Sequence, residues 1–185
     1  MDIVVYLANL PSFEDNAVLE FFRAAGRNLL EAEANAGVEH HVALSIVGVD
    51  IMNNIGYMRA KQAQKELIKE SGIPYSIIRS TQFMEFLKGI ADQATQGDEV
   101  HLSNVLFQPI ASADVAWFVT KYAGGAPING KLDIADPERF EIHEIVSRYL
   151  KHPNDPHKVV SNGQPEYFGG EINIVALVPA GKADI

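Results

Sequence analysis

The sequence predicts an α/β protein built on an open, mainly parallel, doubly wound sheet with helices flanking it. Two observations carry that expectation. Short apolar runs alternate with longer stretches of helical periodicity in the order β-α-β-α-β-α, the pattern of parallel strands joined by right-handed crossovers. The first two runs, "IVVYLA" (3–8) and "HHVALSIVG" (40–48), are nearly continuously apolar and rich in β-branched residues. Strands covered on both faces read this way, whereas strands with one wet face alternate.

Each element follows from local chemistry. After "IVVYLA" the segment "NLPSFED" turns the chain, and Ser12 with Asp15 three residues on resembles a capping box. The next helix, "FEDNAVLEFFRAAGRNLLEAEANA", carries Val18, Leu19, Phe22, Leu29 and Leu30 on one side, with Gly37 as its stop. The second strand ends in the polar Ser45 before a turn at Gly48. A helix from about Tyr57 to Ser71 closes at Gly72, and "PYSIIRS" (74–80) is the third strand. Then come a helix over "TQFMEFLKGIADQA", a short strand near "VHLS", the helix "ASADVAWFVTKYA", a strand at "KLDIAD" and the helix "FEIHEIVSRYLK". Residues 1–150 are expected to form one domain. Residues 151–185, rich in Pro, Gly and Asn, are expected to be a largely irregular segment packed on it.

Composition excludes several function classes. A net charge of −9 leaves no basic footprint for nucleic acid or an anionic membrane. With no cysteine there are no disulfides, thiolate nucleophiles or Cys-based zinc sites. The start of the chain lacks the basic flank and apolar length of a signal peptide, and no apolar run approaches a membrane span, so the expected location is cytoplasmic. His40 and His41 begin a strand and therefore point to opposite faces, and "HPNDPH" reads as a surface loop, so no metal site is expected.

The stretch "GYMRAKQAQKEL" places Tyr57 and Lys61 four residues apart, on one face of a helix. The pair fits a proton donor with an ammonium beside it, and it fits two unrelated surface residues.

The order of several blocks narrows the choice. "RNLLEAEANAGVEHHVALSIVG" resembles the fourth helix and fifth strand of extended and atypical short-chain dehydrogenase/reductases. "GYMRAKQAQKELIKESGIPYSIIRSTQFMEF" is similar to their Tyr-x-x-x-Lys helix, Gly-Ile-Pro-Tyr turn, strand and Arg-x-Thr/Pro-x-Phe loop. "QPIASADVAWFV" and "LDIADPERFEIHEIVSRYL" look like the later Asp-Val-Ala helix and the C-terminal strand–helix pair. The likeness is greatest to the NmrA-like NAD(P)-binding branch and spans most of residues 2–170.

A complete member of that family begins with a strand, a Gly-x-x-Gly-x-x-Gly loop and two further strands. Here Met1 stands almost directly on what resembles the fourth strand, and none of the 14 glycines forms such a loop. The resemblance thus implies a partial Rossmann-like sheet whose first strands are missing, with "IVVYLA" at an edge. That edge would be covered by another copy of the chain, by the C-terminal tail or by a missing segment.

The resemblance also implies roles. Tyr57 would protonate the developing alkoxide, Lys61 would favour its ionised form and bind the cofactor ribose, and Ser45 would hydrogen-bond the substrate carbonyl. Ala8 and Asn9 would line the middle of the cofactor, and Ser80, Thr81, Gln82 and Phe83 would lie near the nicotinamide. Phe83 and Phe86 fit helix packing better than ligand contact, and Arg79 would meet either a phosphate or a neighbouring carboxylate. The implied activity is hydride transfer between NADP or NAD and a small carbonyl or quinone-like substrate. The alternatives are a non-catalytic dinucleotide-sensing or regulatory protein, and a fragment with no cofactor site.

Overall fold

The computed structural model describes residues 2–10, 14–152, 155–161, 163–167 and 170–184. In chain order the elements are β1 (Ile3–Tyr6), α1 (Asp15–Ala36), β2 (His40–Ile46), α2 (Gly56–Glu70), β3 (Tyr75–Ser80), a 3-10 turn (Met84–Phe86) and α3 (Leu87–Ala94). There follow β4 (Thr95–Gln96), β5 (Glu99–Leu102), β6 (Leu106–Phe107), α4 (Ser112–Ala123), β7 (Gly130–Ile134), β8 (Phe140–Glu141) and α5 (Ile142–Lys151). The tail carries β9 (Lys158–Ser161), β10 (Glu166–Tyr167) and β11 (Gly170–Glu171), three short strands in a segment whose composition reads as irregular.

Four parallel strands in the order β1-β2-β3-β7 make the main sheet. Helices cover both of its faces, as side-chain alternation requires. Ala43 and Ile77 pack with Leu30 of α1 and Ile68 of α2, while their neighbours Val42 and Ile78 pack with Val115, Phe118 and Val119 of α4. On α1 the buried stripe is Val18, Phe22, Gly26, Leu30 and Glu33, and Val18 and Phe22 meet Ala60 of α2. Gly37 ends α1 in the left-handed region at φ 72°, its N–H donating to the last turn. Ser12 lies outside the described residues. The N-cap position of α1 is Glu14, and it makes no side-chain cap bond.

The histidines diverge as strand geometry demands. His40 Nε2 lies 2.8 Å from Ser76 Oγ, and on the other face His41 Nδ1 lies 2.7 Å from the buried Glu33 Oε2. Among the described residues no group of three or more His, Cys, Asp or Glu is placed to hold a metal ion. No helix among them is long and apolar enough to cross a membrane.

Two expectations are corrected. The apolar run of β1 by itself predicts burial on both faces, but β1 stands at the edge, where the family resemblance put it, with Ile3 37% and Val5 41% exposed. Only the face carrying Tyr6 is covered. The helix expected from Thr81 begins instead at Leu87, after the 3-10 turn, because residues 81–83 are held extended: Thr81 N–H donates to Ile134 O, Ile110 N–H to Gln82 O and Met84 N–H to Ile110 O. Tertiary hydrogen bonds outcompete the helix there.

At the opposite edge the tail adds a bridge to β7. Asp184 N–H donates to Asp133 O, and Ala135 N–H donates to Asp184 O. Beside it, Arg79 pairs with Asp133 through two hydrogen bonds of 2.6 and 2.8 Å and with Asp50 at 2.7 Å. Of the two partners open to Arg79, the structure selects carboxylates. A second lobe, in which α3 and α5 pack on the strands β4-β5-β9, adjoins the sheet through a core that includes Met52, Phe107, Ile142, Tyr167 and Leu177.

Candidate functional site

Because β1, β2 and β3 run parallel, their C-terminal ends lie side by side, at the edge of an open α/β sheet where ligands bind. The residues leaving those ends, Leu7–Asn9, Ser45–Ile46 and Ser80–Phe83, form one wall of a cavity of about 470 Å³. The first turns of α2 supply Tyr57, Met58 and Lys61 as another wall, and α3 supplies Gly89, Ile90 and Gln93. The volume suits a small-molecule site. Ala8, Asn9, Ser45, Tyr57, Lys61, Ser80, Thr81, Gln82 and Phe83, the residues singled out from sequence, all line this one space.

Lys61 is the cavity's buried cation. Its Nζ donates to Leu44 O at 2.9 Å and sits 4.8 Å from the centre of the Phe22 ring. Loss of hydration pulls its pKa from 10.5 down to about 7. Tyr57 packs edge-on against Phe22, and burial pushes its phenol above the usual range, partly opposed by a hydrogen bond from Asn9. Burial therefore sets the direction of the Tyr57 shift, with Asn9 opposing it.

Two hydroxyls are unspent. Ser45 Oγ and Thr81 Oγ1 are buried and, among the described residues, make no hydrogen bond. A buried hydroxyl without a partner costs about 1–3 kcal/mol, which a ligand's polar group would recover. Phe83 and Phe86 stack with ring centres 5.3 Å apart and both line the cavity, Phe86 half-exposed.

Sequence reasoning missed several lining residues. Glu85 reaches from the 3-10 turn and accepts hydrogen bonds from Ser112 N–H and Oγ at the start of α4. Tyr167 arrives from the tail, more than a hundred residues after Tyr57 in sequence, and no local signal announces it. Ile90, Gln93 and Tyr167 also line a second cavity of about 480 Å³ whose polar side chains include Gln96, His101 and Ser103.

Residues 1–124 match a protein family described as NAD(P)H-binding. No curated protein matches the chain. Among solved structures it is similar to dTDP-4-dehydrorhamnose reductase from Bacillus anthracis in complex with NADP, at 15% identity and a TM-score of 0.74, over 92% of this chain and 69% of that one. It is also similar to the Bordetella bronchiseptica enzyme WbmH in complex with NAD+, at 14% identity and a TM-score of 0.72, over 93% of this chain and 66% of that one. A third is WbmG from the same organism, in complex with NAD and UDP, at 15% identity and a TM-score of 0.69, over 87% of this chain and 60% of that one. At these identities the likeness is one of fold, that of Rossmann-fold reductases, and the chain spans about two thirds of each neighbour's length.

Proposed function

The chain belongs to the NAD(P)H-binding family, with the fold of the atypical short-chain dehydrogenase/reductases, and from that premise we propose that it is an NAD(P)-dependent oxidoreductase of a small carbonyl or quinone-like substrate. The observation that carries the proposal is the convergence of Ser45, Tyr57 and Lys61 on one cavity together with the unpartnered hydroxyls of Ser45 and Thr81. Those hydroxyls, set among apolar walls, fit the carboxamide of a nicotinamide and the carbonyl of a substrate.

When bound, a reduced nicotinamide supplies hydride to the substrate carbon. The protein's own residues do the rest. Ser45 Oγ donates to the carbonyl oxygen and orients it. Tyr57 Oη, protonated at neutral pH because it is buried, holds the proton that the developing alkoxide takes. Lys61 Nζ, its pKa lowered by burial to about 7, is held by Leu44 O on the same wall as Tyr57. The second cavity, on the far side of Tyr167, offers room for the rest of the substrate.

A second reading, a non-catalytic dinucleotide sensor, is favoured by the engagement of Lys61 with Leu44 O. A lysine held there does not activate Tyr57. The test is Tyr57→Phe with NADPH or NADH and a panel of small carbonyls and quinones. An enzyme loses turnover by about a hundredfold or more while keeping cofactor affinity within about twofold. A sensor binds cofactor in both forms and turns over nothing in either.

A further inference from the structure

We propose that the residues of this chain hold only the nicotinamide-riboside end of the cofactor and give the diphosphate and adenosine no purchase of their own. The inference rests on the cofactor reading above and on a contrast between the two ends of the site.

A dinucleotide diphosphate is held by free backbone N–H groups at a helix N-terminus, usually reached through a glycine turn, or by paired cations. At the end of β1 the chain reads Leu7-Ala8-Asn9, with no glycine. The helix that follows opens on acid: Glu14 stands at the N-cap position of α1 and Asp15 in its first turn.

Asp15 also guards the next helix. A Cβ added to Gly56, the first residue of α2, would stand 1.6 Å from Asp15 Oδ1, so the carboxylate lies directly against that N-terminus. Its other oxygen pairs with Arg59, so the nearby guanidinium already faces a carboxylate of the protein. The N-terminus of α4 is taken in the same way, by the Glu85 carboxylate on Ser112 N–H at 3.1 and 3.2 Å. The N-termini of α2 and α4, which would attract a phosphate, thus already have a carboxylate of the protein against them, and α1 opens on two acidic residues.

Cations do not make up the difference. Among the described residues lining the cavity, Lys61 is the one basic side chain, and Nζ is turned to Leu44 O behind an apolar ring. Glu85 shares that lining, and the chain carries a net charge of −9. A diphosphate brought here meets carboxylates without a compensating cation, whereas an uncharged nicotinamide riboside meets Ser45 Oγ and Thr81 Oγ1, both buried and in need of partners.

The test titrates the 185-residue chain with NADH, NADPH and reduced nicotinamide mononucleotide, following the probes' own fluorescence, and then adds ADP-ribose as competitor. The expected result is three dissociation constants within about tenfold of one another and no displacement by ADP-ribose. Ser45→Ala with Thr81→Val weakens all three probes by a common factor. NADH or NADPH binding more than about tenfold tighter than the mononucleotide, or displacement by ADP-ribose, overturns the inference and leaves the cofactor reading intact. Failure of every reduced nicotinamide to bind overturns the cofactor reading and the inference with it.

Discussion

The two edges of the main sheet are finished in opposite ways. At β7, the C-terminal segment pairs with Asp133 and Ala135, Arg79 clamps the Asp133 carboxylate, and Lys131, Lys65 and Arg79 converge on Asp50. Tyr122 and Lys121 of α4 hold Asp184 in place. At β1, by contrast, Ile3, Val5 and Leu7 stand in an exposed row with no charge among residues 3–8. Charge, a covering segment and ion pairs are the usual means of closing an edge against unwanted pairing. β7 has all three, and β1 keeps the composition of an internal strand. The difference teaches that position in the sheet, not composition, separates an edge from a centre here.

The largest expected effect breaks the finished edge. Replacing Arg79 by Ala leaves Asp133 and Asp50 without their shared partner in a poorly hydrated place. It should cost about 3 kcal/mol in urea unfolding. A loss below about 1 kcal/mol would show that the network is solvated and that β7 is closed by the tail alone.

The second test uses pH, because cations on the two sides of the sheet live in opposite surroundings. Burial alone would raise the Asp50 pKa, but hydrogen bonds from Lys131 and Lys65 overcome it and hold the carboxyl well below its ordinary 3.8. The unfolded chain then takes up that proton first, so this contribution is present above pH 4 and lost as pH falls below it. Lys61 works in the other direction. Its folded pKa is about 7 against 10.5 when unfolded, so between those values the unfolded chain holds the extra proton and stability rises with pH. Thermal melts should therefore show Asp50→Asn flattening the acid limb and Lys61→Met flattening the rise above neutrality. A Lys61→Met curve parallel to the parent's above pH 7 would mean that the lysine is hydrated through the cavity.

The smallest effect on folding concerns the open edge. Val5→Lys should change unfolding free energy by less than about 0.5 kcal/mol, since Val5 is 41% exposed. Its effect should fall on association instead: pairing of two copies through β1, the expected use of such an edge, would be lost in sedimentation velocity. A parent chain that sediments as a monomer and exchanges the outward amides of β1 rapidly would sink that expectation.

Much of the site was readable because it is built from ends of elements. Ser45 and Ser80 close strands, Ala8 and Asn9 follow one, and Tyr57 and Lys61 share a helix face by spacing alone. Parallel strands present their C-terminal ends along one edge, and it was the family resemblance that named Ala8, Asn9 and Ser80 there. Glu85 and Tyr167 escaped because each is delivered by a non-local packing event, the 3-10 turn against α4 and the tail against the second lobe.

What the amino-acid order determined by itself was periodicity: which stretches are strands, which are helices, and which side chains share a face. That information is local, set by side-chain spacing and by turn residues such as Gly37. The tertiary structure alone decided how far the outer face of β1 stands open, that residues 81–83 run extended instead of helical, and that Lys61 sits dry enough to titrate near neutrality. The reason is common to all three. Backbone hydrogen bonds and hydration depend on what lies across from a residue, and partners distant in sequence leave no trace in the pattern around it.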